Sequence, residues 1–476
     1  MEPSLETGSR VLRKLAGVLP PNRFWLVGGA VRDLLLGRVP TDYDIAVKGN
    51  PADFAQALAK TAGRRAVAIG AAGKRIYRVV DRKIVYDFSP VAGEVIEEDL
   101  GRRDFTVNAM ALSPVGKILV DPFGGRDDLA AGCIRMVSGD VFKRDPVRLL
   151  RAFRMAAVFD FTVAADTEAR LRRQVGLIES AAGERLRDEL FKLLAVERSE
   201  TVVSYMNHCG LLPAMFPEIA PLAGCLQGIH HQYDALTHTL RVLSHLEAVL
   251  VDPSRWLPLN GLRARESEDC RDPVPLKLAA LFHDIGKPAT RNTDGGRTHF
   301  HGHGAVGSRM AEGIFDRLRL SNRDRKLAGF LIRHHIEPLQ LFIAHRRGTL
   351  TRKGRTRFFI RSGAMTPPLV LLSLADAAGK KTPADERFIA FAQFADQLLG
   401  DHFGSFRPKQ KEPPLVNGRD LMATFDLSPS PLLGKILSKI EAERLEGRLN
   451  SRKDAMNRAR ELVHLWQNEV IVPKPK

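Results

Sequence analysis

The chain has 476 residues, with 72 lysines and arginines against 55 aspartates and glutamates, and its net charge of +17 favours a polyanionic partner through counterion release. Its four cysteines, Cys133, Cys209, Cys225 and Cys270, show no paired spacing, which excludes a disulfide frame or a zinc knuckle and points to a reducing compartment. No apolar run reaches the ~18 residues that span a bilayer and the N-terminus has no apolar signal core, so a soluble, cytoplasmic protein without a membrane partner is expected. The length suits roughly three or four compact units.

Phe24-Trp25-Leu26-Val27 predicts a buried strand. Gly28-Gly29 lets a ligand approach the backbone, and Ala30 to Leu36 predicts a helix whose N-terminal N–H groups can receive phosphate, with Gly37 as its stop. Tyr43 to Val47 predicts the next strand. Strand side chains alternate, so Asp42 and Asp44 share one face and Tyr43 takes the other. Two carboxylates on one edge suit Mg²⁺, which takes oxygen ligands and bridges to triphosphate oxygens. Lys74 to Val80 and Ile84 to Phe88 predict a hairpin about Asp81-Arg82-Lys83, with Asp87 on its second strand.

An Asp-x-Asp alone marks a turn or a solvated strand end. Gly-Gly, helix and Asp pair together resemble the signature of the DNA polymerase β nucleotidyltransferase superfamily. Within it the chain is similar to the bacterial class II tRNA nucleotidyltransferases, the CCA-adding type, and to their relatives the poly(A) polymerases. The resemblance implies an α+β multidomain fold: a small mixed-sheet, polymerase-β-like nucleotidyltransferase head, then an all-helical neck, an HD-like body and a tail. It implies Mg²⁺ on catalytic Asp42 and Asp44, and a third catalytic carboxylate at Asp87 that helps activate the attacking hydroxyl. An exposed edge-strand charge is the other reading of Asp87.

Arg102-Arg103-Asp104-Phe105-Thr106-Val107-Asn108-Ala109 matches the family motif RRDFT-x-NA at every defined position. The match implies that Arg103 meets triphosphate oxygens, which a guanidinium fork fits, and that Asp104 and Asn108 position sugar and backbone. Gly28, Gly29 and Arg32 join them as nucleotide-binding candidates. Asp121-Pro122-Phe123-Gly124-Gly125-Arg126-Asp127-Asp128-Leu129 resembles the segment that joins head to neck, with a hinge and support role. In Arg144-Asp145-Pro146-Val147-Arg148 the family has Glu-Asp-x-x-Arg, whose Asp and Arg read the incoming base. One acceptor and one forked donor select C and A while leaving G and U with unpaired groups. The readers here are Asp145 and Arg148, and Arg144 departs from the pattern. Arg148, Arg151 and Arg154 form a positive ridge at helical spacing, either a nucleotide-binding face or a solvated one. Glu184-Arg185-Leu186-Arg187-Asp188-Glu189-Leu190 resembles the last family motif, a buried brace of the neck.

A different chemistry follows. Leu278 to Phe282 predicts an apolar helix leading into His283-Asp284-Ile285-Gly286-Lys287. With His238 upstream and Asp376 downstream this resembles the metal set of the HD phosphohydrolase superfamily. The resemblance implies a transition metal (Mn, Fe, Co or Ni) on His238, His283, Asp284 and Asp376, with His303 and the pair His334-His335 where two-metal members place further ligands, His334 being the candidate of the pair. The same residues also read as the polar core of a helical body that has lost its metal.

Arg346, Arg347, Arg352, Lys353, Arg355, Arg357 and Arg361 occur without one acid among them, as a nucleic-acid contact or a solvated loop. Arg448, Arg452, Lys453, Arg458 and Arg460 predict a basic face on a last pair of helices begun by Asn417-Gly418-Arg419-Asp420, which would hold tRNA by its phosphates. The expected divisions are a catalytic head at 1–137, a neck with the base reader at 138–200, a helical body at 201–404 with a polar loop from Asp252 to Asp272, and a tail at 405–476 after a linker from Phe403 to Pro414.

The leading reading is a template-independent enzyme that adds C and/or A from CTP and ATP to the tRNA 3′ end, releasing pyrophosphate, with a possible second phosphohydrolase activity in the body. A poly(A) polymerase ranks lower because Ile69-Gly70-Ala71-Ala72-Gly73-Lys74-Arg75-Ile76-Tyr77 does not resemble those enzymes' RRF-containing signature. Ile45-Ala46-Val47-Lys48-Gly49-Asn50-Pro51 with Phe54-Ala55 looks more like members that add only CC or only A. An HD phosphohydrolase with a degenerate head and a non-catalytic tRNA-binding module are the readings from other classes. The sequence leaves the oligomeric state open.

Overall fold

The computed structural model describes residues 11–70, 75–115, 118–228, 232–295, 297–380 and 385–471, in two compact units, Met1–Pro217 and Glu218–Lys476. Lys74, at the expected start of the hairpin, and Ala71-Ala72-Gly73 lie outside the described residues.

After a helix over residues 11–16, the first unit carries β1 (Phe24–Val27), α1 (Gly29–Leu35), β2 (Asp42–Val47), α2 (Pro51–Ala62), β3 (Ala66–Ile69), β4 (Ile76–Asp81), β5 (Ile84–Pro90), β6 (Ala111–Leu112) and β7 (Leu119–Val120). They form a seven-stranded mixed sheet in the order β3-β4-β5-β2-β1-β6-β7. β1 runs antiparallel to β2 with Val27 opposite Asp44, and β2 runs parallel to β5 with Asp44 opposite Asp87. One position back, Tyr43 and Tyr86 are in register and stack at 5.7 Å in the core, so the pleat sends Asp42, Asp44 and Asp87 to the opposite face. α2 covers the buried face with Phe54, Ala55, Leu58 and Ala59. It starts where Asn50 accepts from the Ala52 N–H, a cap worth about 1 kcal/mol, and Gly63 ends it in the left-handed region. β3 is an edge strand that the sequence reading did not contain; Ala66-Val67-Ala68-Ile69 has no buried position and so carries no clear alternation.

Beyond the sheet, α3 (Val147–Phe159) and α4 (Gly183–Leu194) pack together. α3 buries Leu149, Leu150, Ala152 and Phe153 and leaves Arg148, Arg151 and Arg154 on the opposite stripe. A short parallel pair, Cys133–Ile134 with Thr162–Val163, is the one departure from helix in this region among the described residues.

Among its described residues the second unit is helical apart from a small hairpin, Asn292–Asp294 with Arg297–His299, and an isolated bridge between Leu226 and Asp234. Its main helices are α5 (Ala235–Val251), α6 (Val274–Phe282), α7 (His303–Arg317), α8 (Asn322–His334), α9 (Glu337–Arg346), α10 (Arg352–Ser362), α11 (Thr366–Lys380), α12 (Glu386–Asp401), α13 (Pro431–Leu445) and α14 (Arg452–Ile471). α6 is buried at every position, and its Lys277 is neutralised by Glu247 of α5 at 2.7 Å. α10 and α11 join into one helical run, Arg352–Lys380, whose most apolar window is long enough to cross a membrane by length and composition; 72% of that window is buried inside the body, as in a core helix.

Two further segments differ from expectation. The polar stretch from Asp252 to Asp272 contains helical turns at Pro253–Arg255, Gly261–Arg265 and Glu268–Cys270. The expected linker is helical as far as Lys411: His402–Phe406 continues α12 as a π-turn and Arg407–Lys411 follows. Arg, Lys and Gln are good helix formers, and Pro408 sits in a first turn where its missing N–H is harmless. Asn417 then forms a capping box with Asp420, and three helices follow: Gly418–Phe425, α13 and α14.

Leu278 lies on the fully buried α6, so Leu278→Ala should lower the stability of the second unit by about 2–5 kcal/mol. Guanidinium titration checks this; an unchanged midpoint would mean that α6 is not core.

Candidate functional site

In the first unit the end of β1 delivers the chain to Gly28, whose N–H donates to the Met110 carbonyl at 3.2 Å. Gly28 has φ +72, and a Cβ there would meet Arg103 Nη1 at 2.6 Å and Asp44 Oδ2 at 3.5 Å. No side chain fits between the carboxylate and the guanidinium. Around this point lies a cleft of 370 Å³ lined by Gly28, Gly29, Arg32, Asp44, Arg103, Asp104, Asn108, Arg148, Arg151, Arg154, Glu189 and Lys192. Its six cations against three acids give it the sign a triphosphate needs.

The lining is a connected network. Arg103 is aimed by Asp99, whose Oδ2 accepts from Nε at 3.2 Å and Nη2 at 3.1 Å. Arg32 donates to Asn108 Oδ1 at 2.6 Å, to Asp33 through Nε and Nη2, and lies over the Phe159 ring at 4.4 Å. Asn108 donates to Asp104 at 2.9 Å, and Arg151 donates to Asp104 at 3.0 Å. Burial raises the Asp104 carboxyl, but the Arg151 charge and these hydrogen bonds outweigh it and hold the pKa below the usual carboxylate range. Asp44 differs: desolvation in the cleft raises its pKa, and Arg103 only partly offsets it. An isolated Asp44 charge is thus costly there, and a cation at this spot would stabilise it.

Asp42 and Asp87 stand on the same face beside Asp44, outside the cleft lining. Both Asp87 oxygens are taken by Arg78, at 2.8 and 2.7 Å. Arg78 is the registered partner of Asp87 across the β4–β5 pair, and counting back from the tight turn at Arg82-Lys83 would have found it.

The arginine ridge is not a solvated face. Arg151 Nε and Arg154 Nε each donate to Glu189 at 2.8 Å, and Glu189 is buried on α4. Arg148 donates to the Arg102 and Arg103 carbonyls at 3.0 and 3.3 Å, and its buried Nε has no hydrogen-bond partner. Asp145 is held by Arg185 in a bidentate pair, 3.0 and 2.7 Å, with Arg148 Nε farther off at 3.7 Å. That pairing, with Arg148, keeps the Asp145 carboxyl below its usual pKa against the effect of burial. Arg144, the departure from the family pattern, donates to Asp140 at 2.7 Å and to the Gly101 carbonyl at 3.3 Å. The 184–190 motif thus reaches the cleft through Glu189, while Arg185 holds Asp145, which lies outside the cleft lining. The 121–129 motif supports it from outside, since Thr106 Oγ1 donates to buried Asp128 at 2.7 Å.

In the second unit five segments bring a buried cluster together: His238 on α5, His283 and Asp284 at the end of α6, His303 at the start of α7, His335 just past α8, and Asp376 on α11. Ligand atoms of His238, His283 and Asp376 lie within 4.8 Å of one another, as do those of His283, Asp284 and His335, so two triads share His283. The Nδ1 atoms of His283, His303 and His335 each lie 2.7–2.8 Å from a carbonyl three residues back, Ala280, Phe300 and Ile332. A carbonyl can only accept, so Nδ1 carries the proton and Nε2 presents its lone pair inward. Burial pushes the His335 pKa well below its usual value and lowers those of His238 and His303. Asp284 and Asp376 are held well below the carboxylate range; for each, burial is outweighed by neighbouring cations and imidazoles, Lys287 touching Asp284 at 2.6 Å and Lys380 touching Asp376 at 2.8 Å. His283 differs: burial lowers its pKa, but the Asp284 carboxylate 3.2 Å from its Nε2 outweighs this and raises it. Imidazole nitrogens converging on ionised carboxylates are the donor set of a transition-metal site.

His334 is a correction: its Nδ1 meets Glu337 at 2.7 Å, away from the cluster, and His335 takes the inward place because consecutive helical residues point about 100° apart. Lys287 and Lys380 were not identified as site residues from the sequence, although Lys287 closes the quoted HDIGK run. Gly286 has a structural reason, since a Cβ there would come within 2.2 Å of the His303 carbonyl.

Four families match the chain in order: the Poly A polymerase head domain over residues 24–135, the probable RNA and SrmB-binding site of polymerase A over 160–222, the HD domain over 235–378, and the putative tRNA nucleotidyltransferase domain 2 over 393–459. An A-adding tRNA nucleotidyltransferase of Deinococcus radiodurans is 34% identical over 453 residues, 93% of this chain and 95% of that protein. A CC-adding tRNA nucleotidyltransferase of Thermus thermophilus is 31% identical, covering 91% of this chain and 92% of the relative. The Thermotoga maritima CCA-adding enzyme solved with tRNA shares the fold with a TM-score of 0.62 at 21% identity, over 98% of this chain and 96% of that one. Nucleotidyltransferase and HD domains both imply dependence on divalent metal.

His335→Ala should lose a transition metal that purified wild-type protein retains, and His334→Ala should keep it. Elemental analysis of the two variants checks this; equal retention would remove His335 from the ligand set.

Proposed function

We propose that this chain, which belongs to the tRNA nucleotidyltransferase family, adds a single kind of nucleotide to the tRNA 3′ end, the terminal A. It is a template-independent nucleotidyltransferase that adds C and/or A from CTP or ATP, with release of pyrophosphate. Relatives matching over nine-tenths of the chain carry tRNA nucleotidyltransferase names, which supports tRNA over poly(A) as the product. The finer reading, A added to tRNA that ends in CC, is the activity named for the Deinococcus radiodurans relative.

The observation that carries the single-nucleotide part of this reading is the rigidity of the Asp145–Arg148 pair, while the choice of A rests on the name of the Deinococcus radiodurans relative. Asp145 is pinned on both oxygens by Arg185, and Arg148 is tethered to two backbone carbonyls. A pyrimidine and a purine present their donor and acceptor atoms at different distances from the sugar, so reading C and then A requires two arrangements of this pair. The contacts support one.

In this reading Asp42 and Asp44 would hold Mg²⁺, which when bound activates the tRNA 3′-hydroxyl and steadies the leaving pyrophosphate. Asp87 would join them on release from Arg78. Arg103, aimed by Asp99, takes triphosphate oxygens; Arg32, Asn108 and Asp104 position the sugar; Glu189 holds Arg151 and Arg154 at the cleft wall. The division of labour is a head at 1–137, a neck with the reader at 138–200, an HD body at 201–404 and a tail at 405–476, working in the cytoplasm. A second reading rests on the converging Nε2 atoms of the body: a phosphohydrolase with Mn, Fe, Co or Ni on His238, His283, Asp284 and Asp376, with His303 and His335 as further ligands.

Offered tRNAs ending in the discriminator base, in C and in CC, each with labelled CTP or ATP, the enzyme should extend only the CC end, and only with ATP. Sequencing of the products checks this, and C incorporation would overturn the single-nucleotide reading. Asp44→Ala should abolish addition while tRNA binding stays within a few-fold. Arg185→Ala, which frees Asp145, should admit CTP; unchanged selection would mean that the pin does not set the choice.

His283→Ala with Asp284→Ala should remove metal-dependent hydrolysis of 2′,3′-cyclic phosphates or other phosphoesters and leave addition intact. Loss of addition by a folded double variant would show that the sites are coupled.

A further inference from the structure

The structure separates spent positive charge from available charge in the second unit. On the tail, three of the five expected cations are consumed: Arg448 is held by Glu446 and Glu443, Arg452 meets Asp420 at 2.6 Å, and Arg458 meets Glu443 at 2.9 Å and Glu461 at 2.6 Å, whereas Lys453 and Arg460 stay exposed. In the 346–361 run, Arg361 is paired with Glu337 and Arg355 with Asp401. Arg352 has no ion pair or side-chain hydrogen bond among the described residues. It leans across Gly447, φ +74, where a Cβ would come within 2.8 Å of its Nη2. The turn after α13 is therefore shaped to admit this guanidinium.

There Arg352, Arg355 and Lys409 line a pocket of 320 Å³ with Ser405, over an aromatic floor of Phe359 and Phe406. The acid in its wall, Asp401, is already engaged by Arg355, whose buried Nε has no partner. Burial lowers the Lys409 pKa, and Arg352 and Arg444 beside it lower it further. Cations gathered this closely repel one another, and an anion among them relieves the repulsion. Lys353 and Arg357 are exposed on the same helix as Arg352, and Arg346 and Arg347 are exposed at the end of α9 before it, cations that a small phosphate ligand would not need and a polynucleotide would.

We propose that this pocket, between α10, the π-turn and the end of α13, grips a backbone phosphate of the RNA substrate. Arg352 and Lys409 supply the charge and Ser405 a hydroxyl donor, while the exposed cations beside them meet the phosphates that follow. The inference rests on the tRNA nucleotidyltransferase reading only in naming RNA as the source of the phosphate. It adds an RNA grip at the junction of body and tail to the exposed cations, Lys453 and Arg460, that remain on the tail.

The test measures binding of labelled tRNA by the full chain, without nucleotide, by fluorescence anisotropy between about 50 and 200 mM salt. Arg352→Ala with Lys409→Ala should weaken binding about tenfold and reduce the slope of log affinity against log salt by about 1, the contribution of one phosphate contact. The tRNA KM should rise while kcat and the nucleotide KM stay put. Arg352→Lys with Lys409→Arg should retain most of the affinity, and matched melting curves show that loss of fold is not the cause. Unchanged affinity and slope in the alanine variant overturn the proposal. So does loss of inorganic phosphate binding with tRNA affinity intact, which would make this a small-anion site. Wild-type protein that binds no tRNA would sink the functional reading itself, whereas a wild type that binds with a double variant that binds equally well sinks only the pocket.

Discussion

The register of three strands governs the head. Val27 pairs with Asp44 across β1 and β2, and Asp44 pairs with Asp87 across the parallel β2 and β5. The first pairing sets the backbone of Gly28 beside a carboxylate, and the second brings a further carboxylate to the same face. A slip of one residue would turn Tyr43 and Tyr86 out of the core and bury the acids, so the stacked tyrosines defend the register that the chemistry needs. Everything else in the cleft is hung on this arrangement: Arg103 can reach the spot only because Gly28 has no side chain.

Ion pairs in the neck arrange charge more than they stabilise it. Glu189 is buried and takes two guanidinium groups, and Asp104 takes a third contact from Arg151. Burying such charges costs about as much as their attraction returns. Their value lies in fixing Arg151 and Arg154 at the wall without leaving either as a free flexible cation. Arg185 does the same to Asp145, holding both carboxylate oxygens.

The body shows the opposite ligand chemistry. The head offers carboxylate oxygens on a sheet face, suited to a hard divalent ion, while the body offers inward imidazole nitrogens on helix ends with two carboxylates between them. The body's cluster depends on close helix crossings, of which Gly286 against the His303 carbonyl is the tightest. The two ligand sets belong to separate compact units, so neither shares a residue with the other.

Sequence alone determined what local rules govern. β1, α1 and β2, the hairpin and the outward Asp42 and Asp44 follow from strand alternation and glycine punctuation, and the RRDFT-x-NA and HDIGK runs carry their chemistry within a few residues. Tertiary structure decided what long-range pairing governs. Which carboxylates are free is legible only where a tight turn fixes the register, as it does for Arg78 opposite Asp87; that Arg185 occupies Asp145 from a helix 40 residues on was invisible. The choice of His335 over His334 was set by which side of a helix end faces α7, and neither residue differs in type. The tail's arginines read as a basic face because their acidic partners, Glu443 and Asp420, lie on neighbouring helices. A sequence displays charges, but their partners are chosen by packing, and only the folded chain shows which remain to meet a ligand.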